Sequence, residues 1–194
     1  GLFRDRKKRK PDRTVVGVIG DLHTPFAHPN YLQFCVDTFK AFGVNRVVFI
    51  GDIFDQHTLS FHPKEPQAVG TQQERAMAQI QIRGYFEAFP EADIVIGNHD
   101  ERVFRIAASV GLDRDVLKPL NEIYGLPKKW RLHDEIIIDG VLYKHGVNCG
   151  GKDGALNTAL TERMSTVIGH YHSGGGVKYS ANKRDIIFGM NVGC

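Results

Sequence analysis

Five short polar clusters, each closing an apolar run, constrain this chain more than any other feature. Asp21-Leu22-His23 follows Thr14 to Ile19, Gly51-Asp52-Ile53-Phe54-Asp55 follows Val47 to Ile50, and Gly97-Asn98-His99-Asp100 follows Ile94-Val95-Ile96. His145-Gly146 follows Val141 to Lys144, and Gly169-His170-Tyr171-His172 follows Thr166 to Ile168. Short apolar runs bounded by turn residues read as strands buried on both faces. Loops at the carboxyl ends of strands in an α/β sheet converge on one crevice, so these Asp, Asn and His side chains are expected to meet there.

The segments between the runs support an α/β reading. Leu32, Cys35, Val36, Phe39 and Phe42 recur at helical spacing and Gly43 supplies a stop, which predicts a helix over 30–42. Thr71-Gln72-Gln73-Glu74 has capping-box spacing and predicts a helix to about Phe89, ended by Pro90, with Gly84 as a weak point inside it. Gln56 to Gly70 reads as a long loop, Glu101 to Val110 as a short helix, and Asp113 to Pro127 as an irregular, partly helical connection. After Trp130 the pattern changes. Ile136–Ile138 and Val141–Tyr143 flank the turn dipeptide Asp139-Gly140, Ala155 to Met164 is helical, and Val177–Tyr179 with Ile186–Phe188 forms a further hairpin. A second, more antiparallel sheet is therefore expected.

At 194 residues the chain fits one domain with a tail: a basic tail or linker over 1–13 and a folded domain over 14–194. The net charge of +3 is local, because residues 1–13 hold seven Lys and Arg against Asp5 and Asp12, leaving 18 basic and 20 acidic residues elsewhere. Arg4 to Arg13 can hold nucleic acid by counterion release, or serve as a solvated linker. A start at Gly1 in place of Met, and an end at Cys194 without a polar closing stretch, leave room for further chain on either side. No apolar run approaches the roughly 18 residues needed to cross a bilayer, so a cytoplasmic, non-membrane protein is expected. Cys35, Cys149 and Cys194 are too few and scattered for a disulfide framework or a cysteine zinc motif.

The clusters carry the chemistry of a metal site. Asp21, Asp52 and Asn98 offer oxygens, and His23, His145, His170 and His172 offer imidazole nitrogens. That mix suits Mn, Fe, Zn, Ni or Co better than Ca or Mg. Two ions can share this set if one carboxylate bridges, and Asp52 is well placed to do so. Two ions about 3.5–4 Å apart bind attacking and leaving oxygens at phosphorus and lower the pKa of a bridging water toward about 7, so the nucleophile is hydroxide. His99, adjacent to a ligand position, can act as general acid, a role worth about 10²- to 10⁴-fold. Asp55 is its expected partner, with Asp100 as competitor. His28, His57, His62 and His133 read as structural or solvent-facing, although His57 and His62 can line the mouth of the site.

Taken singly, Asp-x-His or Gly-Asp-x-x-Asp is a weak motif; five clusters in this order leave little room for coincidence. Together, Asp21-x-His23, Gly51-Asp52-x-x-Asp55, Gly97-Asn98-His99-Asp100, His145-Gly146 and Gly169-His170-x-His172 resemble the calcineurin-like metallophosphoesterase superfamily over residues 14–194. The resemblance implies a four-layer α-β-β-α sandwich with two mixed sheets. It implies one metal held by Asp21, His23, Asp52 and His172, and a second held by Asp52, Asn98, His145 and His170, with Mn the first expectation. It also matches His99 to the family's general acid and Asp55 to its carboxylate partner.

Substrate class is less constrained. Protein Ser/Thr phosphatases carry an arginine straight after the second aspartate of the Gly-Asp motif, where this chain has Gln56. The motifs look closer to the repair exonuclease and phosphodiesterase branch, although the capping domain and coiled-coil attachment of the larger nucleases are missing. The expectation is a phosphodiesterase acting on nucleotides or nucleic acid. The alternatives are a phosphomonoesterase acting on nucleotides or phosphoproteins, and a non-catalytic scaffold, against which stand the seven retained ligand positions. Arg102 and Arg105, just after Gly-Asn-His-Asp, are candidate phosphate clamps, or else an exposed helix face.

Overall fold

A computed structural model describes residues 13–60 and 69–194. The basic run up to Asp12 and His62 lie outside these residues. The first sheet holds β1 (Val16–Ile19), β2 (Arg46–Phe49), β3 (Ala92–Val95) and β4 (Trp130–His133) in that spatial order, every pairing parallel. Its crossovers are α1 (Tyr31–Phe42), α2 (Thr71–Ala88), and α3 (Arg102–Ser109) with α4 (Leu120–Tyr124). The second sheet holds β5 (Glu135–Ile138), β6 (Val141–Lys144), β7 (Ser165–Ile168), β8 (Gly176–Ala181) and β9 (Ile186–Asn191), in spatial order β5-β6-β7-β9-β8. Its two hairpins are antiparallel and its β6–β7 and β7–β9 pairings parallel, with α5 (Gly154–Glu162) as the crossover between β6 and β7.

Side-chain alternation sorts these elements into four layers. Ile19, Phe49 and Ile94 point from the first sheet toward Cys35 of α1, Ala78, Ile82 and Tyr85 of α2, and Phe104 of α3. The neighbours on the same strands, Val48, Ile50 and Val95, point the other way and meet Ile138, Tyr143 and Val167 of the second sheet. Strands covered on both faces explain why these runs lack polar alternation. On the far side of the second sheet α5 lies directly on β9: a Cβ at Gly189 would overlap the backbone of Ala155 and Leu156.

Three expectations are corrected. The two sheets are not both mixed; the first is parallel throughout its described pairings, because each of its strands is reached by a helical crossover. Trp130–His133 is a strand of that sheet rather than the point where the first half ends. Its alternate residues split cleanly, with Trp130 and Leu132 on the helix side and Arg131 and His133 bonded to the buried Asp93 carboxylate, which Arg46 also meets. Finally, Thr71 and Glu74 form no capping box. Gly70 occupies the N-cap, and Glu74 accepts from the His57 and Thr58 N–H groups and the Thr58 hydroxyl. Elsewhere the expected elements form within two or three residues of their expected bounds. Gly43 takes the left-handed conformation that ends α1, and Asp139 and Gly140 both have positive φ, as the tight turn of the β5–β6 hairpin demands.

The register sets up the site. Ile19 pairs with Phe49, Phe49 with Ile94, and in the other sheet Lys144 with Ile168. The carboxyl ends of β1, β2 and β3 are therefore level, as are those of β6 and β7. All five polar clusters emerge together along the same rim.

Candidate metal centre

Asp52 lies at the middle of the converging loops. Its Oδ1 accepts from the His99 N–H at 2.7 Å, and its Oδ2 stands 3.2 Å from His145 Nε2 and 3.9 Å from both His23 Nε2 and His99 Nε2. Toward β1 and β7, Asp21 Oδ2 accepts from the His170 N–H at 2.8 Å and lies 3.2 Å from His172 Nε2. His23 Nε2 and His172 Nε2 face one another at 3.1 Å. Toward β3 and β6, His145 donates Nδ1–H to Ile50 O, which leaves its Nε2 facing Asn98 Oδ1 at 2.9 Å. Three groups follow, each with donor atoms within 4.8 Å of one another: Asp21, His23 and His172; Asp52, His145 and His170; and His23, Asp55 and His99. The structure thus brings together all seven side chains that the sequence offers as ligands.

The backbone is strained where it delivers them. His23, Asp52, Gln56 and His170 all have positive φ, between 48° and 69°, a region non-glycine residues rarely occupy. Such strain persists only when the surroundings over-determine it, and clusters at functional sites. Gly97 shows the crowding: a Cβ there would overlap the backbone N and Oδ1 of Asp52.

Asp55 links the centre to His99. Its Oδ1 accepts from His23 Nδ1–H at 2.7 Å and lies 3.1 Å from His99 Nδ1, which also donates to Asp55 O at 2.9 Å. Arg102 donates to Asp55 O at 2.8 Å and to His99 Nε2 at 2.8 Å. A guanidinium only donates, so His99 carries its proton on Nδ1 in this arrangement. Asp100, the competing partner, does not reach the His99 ring. It is buried, accepts from Phe54 N–H and Gly97 N–H, and so fastens the second and third loops together. Arg105 bonds Asn98 O from the exposed face of α3, and His57 is half exposed with Nδ1 3.9 Å from Asp55 Oδ2. His28 is exposed, and His133 serves the Asp93 network. One role has no signal in the sequence: Gln56, marked there only as standing in place of an arginine, donates to His99 O and Asp100 O and pins the loop that carries the acid candidate. Its partners lie more than forty residues away, and no local pattern signals such a bond.

Burial opposes charge throughout the site and the partners decide the outcome. Asp21 is pushed above the usual carboxylate range, chiefly by burial. Asp52 is buried and Asp55 partly so, yet His145 holds the first and His23 and His99 hold the second below that range. Burial likewise disfavours the His145 cation, but Asp52 outweighs it and raises the imidazole to about 9.

A divalent cation fits what these residues leave unsatisfied. Among the described residues Asp21 Oδ1 is buried with no hydrogen-bond partner, and such an oxygen is costly unless a cation meets it. Two imidazole nitrogens turned toward each other beside that carboxylate are better satisfied by a shared metal than by one another. Bonds from His23 Nδ1 to Asp55 and from His145 Nδ1 to Ile50 O are the outer contacts that orient metal-binding imidazoles. The mixed nitrogen and oxygen set suits Mn, Fe, Zn, Ni or Co.

Among the described residues no helix is long and apolar enough to cross a membrane. No curated protein sequence matches the chain significantly. The family model described as calcineurin-like phosphoesterase matches residues 14–183, from the start of the first sheet into the last hairpin and across all five loops. On that match, the chain belongs to the calcineurin-like phosphoesterase family.

Proposed function

We propose that this chain hydrolyses phosphoesters with a pair of divalent metal ions, Mn foremost, and that it prefers diesters of the nucleotide or nucleic-acid type. The observation that carries the reading is the central Asp52 carboxylate, which belongs to one Asp/His group and stands 3.9 Å from His23 of the next, where Asp21 Oδ1 has no hydrogen-bond partner among the described residues. Asp21, His23, Asp52 and His172 would hold one ion, and Asp52, Asn98, His145 and His170 the other. When bound, such a pair supplies Lewis acidity at the phosphoryl oxygens and activates water at neutral pH.

The chain's own residues handle the leaving group. Asp55 accepts from Nδ1–H and steadies the imidazolium formed when His99 Nε2 takes up a second proton from solvent, so Nε2 is the atom that delivers that proton to the departing oxygen. Arg102 donates to that nitrogen at rest, so Nε2 can take up a proton only once that bond opens. Preference for diesters rests on charge. Both nearby guanidinium groups are tied to backbone carbonyls, Arg102 to Asp55 O and Arg105 to Asn98 O, and Gln56 supplies no cation. A monoanionic diester needs less compensation than a dianionic monoester.

Hydrolysis of bis-p-nitrophenyl phosphate beside p-nitrophenyl phosphate, with Mn added, tests this. The diester is expected to turn over faster, with activity abolished in Asp52→Asn. Faster turnover of the monoester replaces the reading with a phosphomonoesterase, and inactivity with Mn, Fe, Zn, Ni and Co alike leaves a scaffold.

A further inference from the structure

Beside the metal-binding side chains lies a second recess that this chemistry does not use. It encloses about 600 Å³, and its walls include Asp21 and His23 together with Phe26, Tyr31 and Phe34. Phe26 is 56% exposed and Phe34 63%, although a pair of large aromatic rings gains most by burial. Neither ring is loosely placed. The Phe26 N–H bonds His23 O at 2.7 Å, so its backbone is tied to a ligand position. Phe34 lies in α1 with its ring nearly parallel to that of Tyr31, whose hydroxyl accepts from Gly20 N–H.

Polar groups at the rim are similarly unused. Asn30 precedes α1 with φ −91° and ψ −1°, a helical backbone that prevents the usual capping contact, and its side chain makes no cap hydrogen bond. Its carboxamide therefore presents a donor and an acceptor at the edge of the recess. Charge narrows the occupant further. Among the described residues no Lys or Arg lines the recess and Asp21 forms part of its wall, so these walls favour a neutral group over a second phosphate. What fits is an uncharged, flat ring, joined to a phosphorus atom that sits one ester arm away at Asp21 and His23.

We propose that this recess binds the nucleobase on the non-leaving arm of a nucleoside phosphodiester, with Phe26 and Phe34 as stacking surfaces. The inference rests on the phosphodiesterase reading and narrows it to small nucleoside esters. Thymidine 5′-(p-nitrophenyl phosphate) and methyl p-nitrophenyl phosphate share a leaving group and a charge and differ only in the other arm. With Mn, the wild-type chain is expected to favour the thymidine ester in kcat/KM by about 5- to 100-fold, the range base stacking supports. The Phe26→Ala/Phe34→Ala double variant should bring the ratio toward unity, and Phe26→Trp/Phe34→Trp should retain it. A ratio unchanged in the alanine variant overturns the proposal. If the wild type hydrolyses neither ester, the phosphodiesterase reading itself fails, and the recess is then judged by saturation-transfer NMR with thymidine. Transfer to the base protons that the alanine variant loses supports a base site; transfer that is absent, or equal in both, overturns it.

Discussion

The backbone and side chain of His99 are fixed by different partners. Its N–H is held by Asp52 Oδ1, while its ring is held between Asp55 on Nδ1 and Arg102 on Nε2. Removing the imidazole therefore leaves the loop tied to Asp52, so the effect on catalysis can be read apart from the fold. His99→Asn is expected to lower turnover by about 10²- to 10⁴-fold on an alkyl ester that needs a protonated leaving group, and far less on nitrophenyl esters. Manganese content, measured by elemental analysis, should not change. An equal loss on both esters rejects the acid role. At this scale the sequence was informative about which residues gather, because each chemistry-bearing type follows an apolar run. It was silent on which contacts they make. Asp55 and Asp100 stood as rival partners for His99, and only the chain path separates them: Asp100 is turned inward onto Phe54 N–H and Gly97 N–H.

Glu74 shows how an element serves the site from a distance. It sits in the first turn of α2, buried, with its two oxygens accepting from His57 N–H at 2.6 Å, Thr58 N–H at 2.9 Å and the Thr58 hydroxyl at 2.7 Å. The helix thereby anchors the segment that follows Asp55 and Gln56. Glu74→Ala would strand these donors. It is expected to destabilise the chain by about 2–4 kcal/mol, since each abandoned buried group costs roughly 1–3 kcal/mol. Denaturant unfolding measures that loss, and turnover should fall with it as Asp55 loosens; an unchanged midpoint would mean the segment is held by other contacts. Spacing alone assigns Glu74 a capping role, because it resembles a capping box, whereas its real partners lie 16 and 17 residues earlier in the chain. β4 was missed for a related reason. Trp-Arg-Leu-His alternates as a strand should, but its polar positions face Asp93 inside the protein instead of solvent, which no apolar run announces.

At the scale of the whole molecule, the candidate ligands divide between the two sheets. Asp21, His23, Asp52 and Asn98 follow strands of the first sheet, and His145, His170 and His172 follow strands of the second. Strand and helix alternation followed by hairpins is enough to predict an α/β chain with a second sheet; the four layers follow only from the resemblance carried by the five polar clusters. The uniform parallel order of the first sheet was hidden, because it depends on β4 joining from beyond a long irregular connection. The apolar contact between the sheets, from Val48, Ile50 and Val95 to Ile138, Tyr143 and Val167, is joined at the rim by polar loops with a buried Asp21 oxygen that has no hydrogen-bond partner among the described residues. A metal held by residues of both sheets would act there as a cross-link that exists only in the folded chain. Binding to the folded state alone contributes about 2.7 kcal/mol at a concentration one hundred times Kd, which for a chain of this size raises Tm by about 5–10 °C. Thermal unfolding with Mn, compared with the same protein treated with a chelator, should show that rise. Asp52→Asn removes the carboxylate that faces imidazoles from both sheets, His23 and His145, and should largely abolish it. A wild-type Tm indifferent to Mn, Fe, Zn, Ni and Co would mean that the loops are held by their hydrogen bonds alone and that no metal joins the sheets.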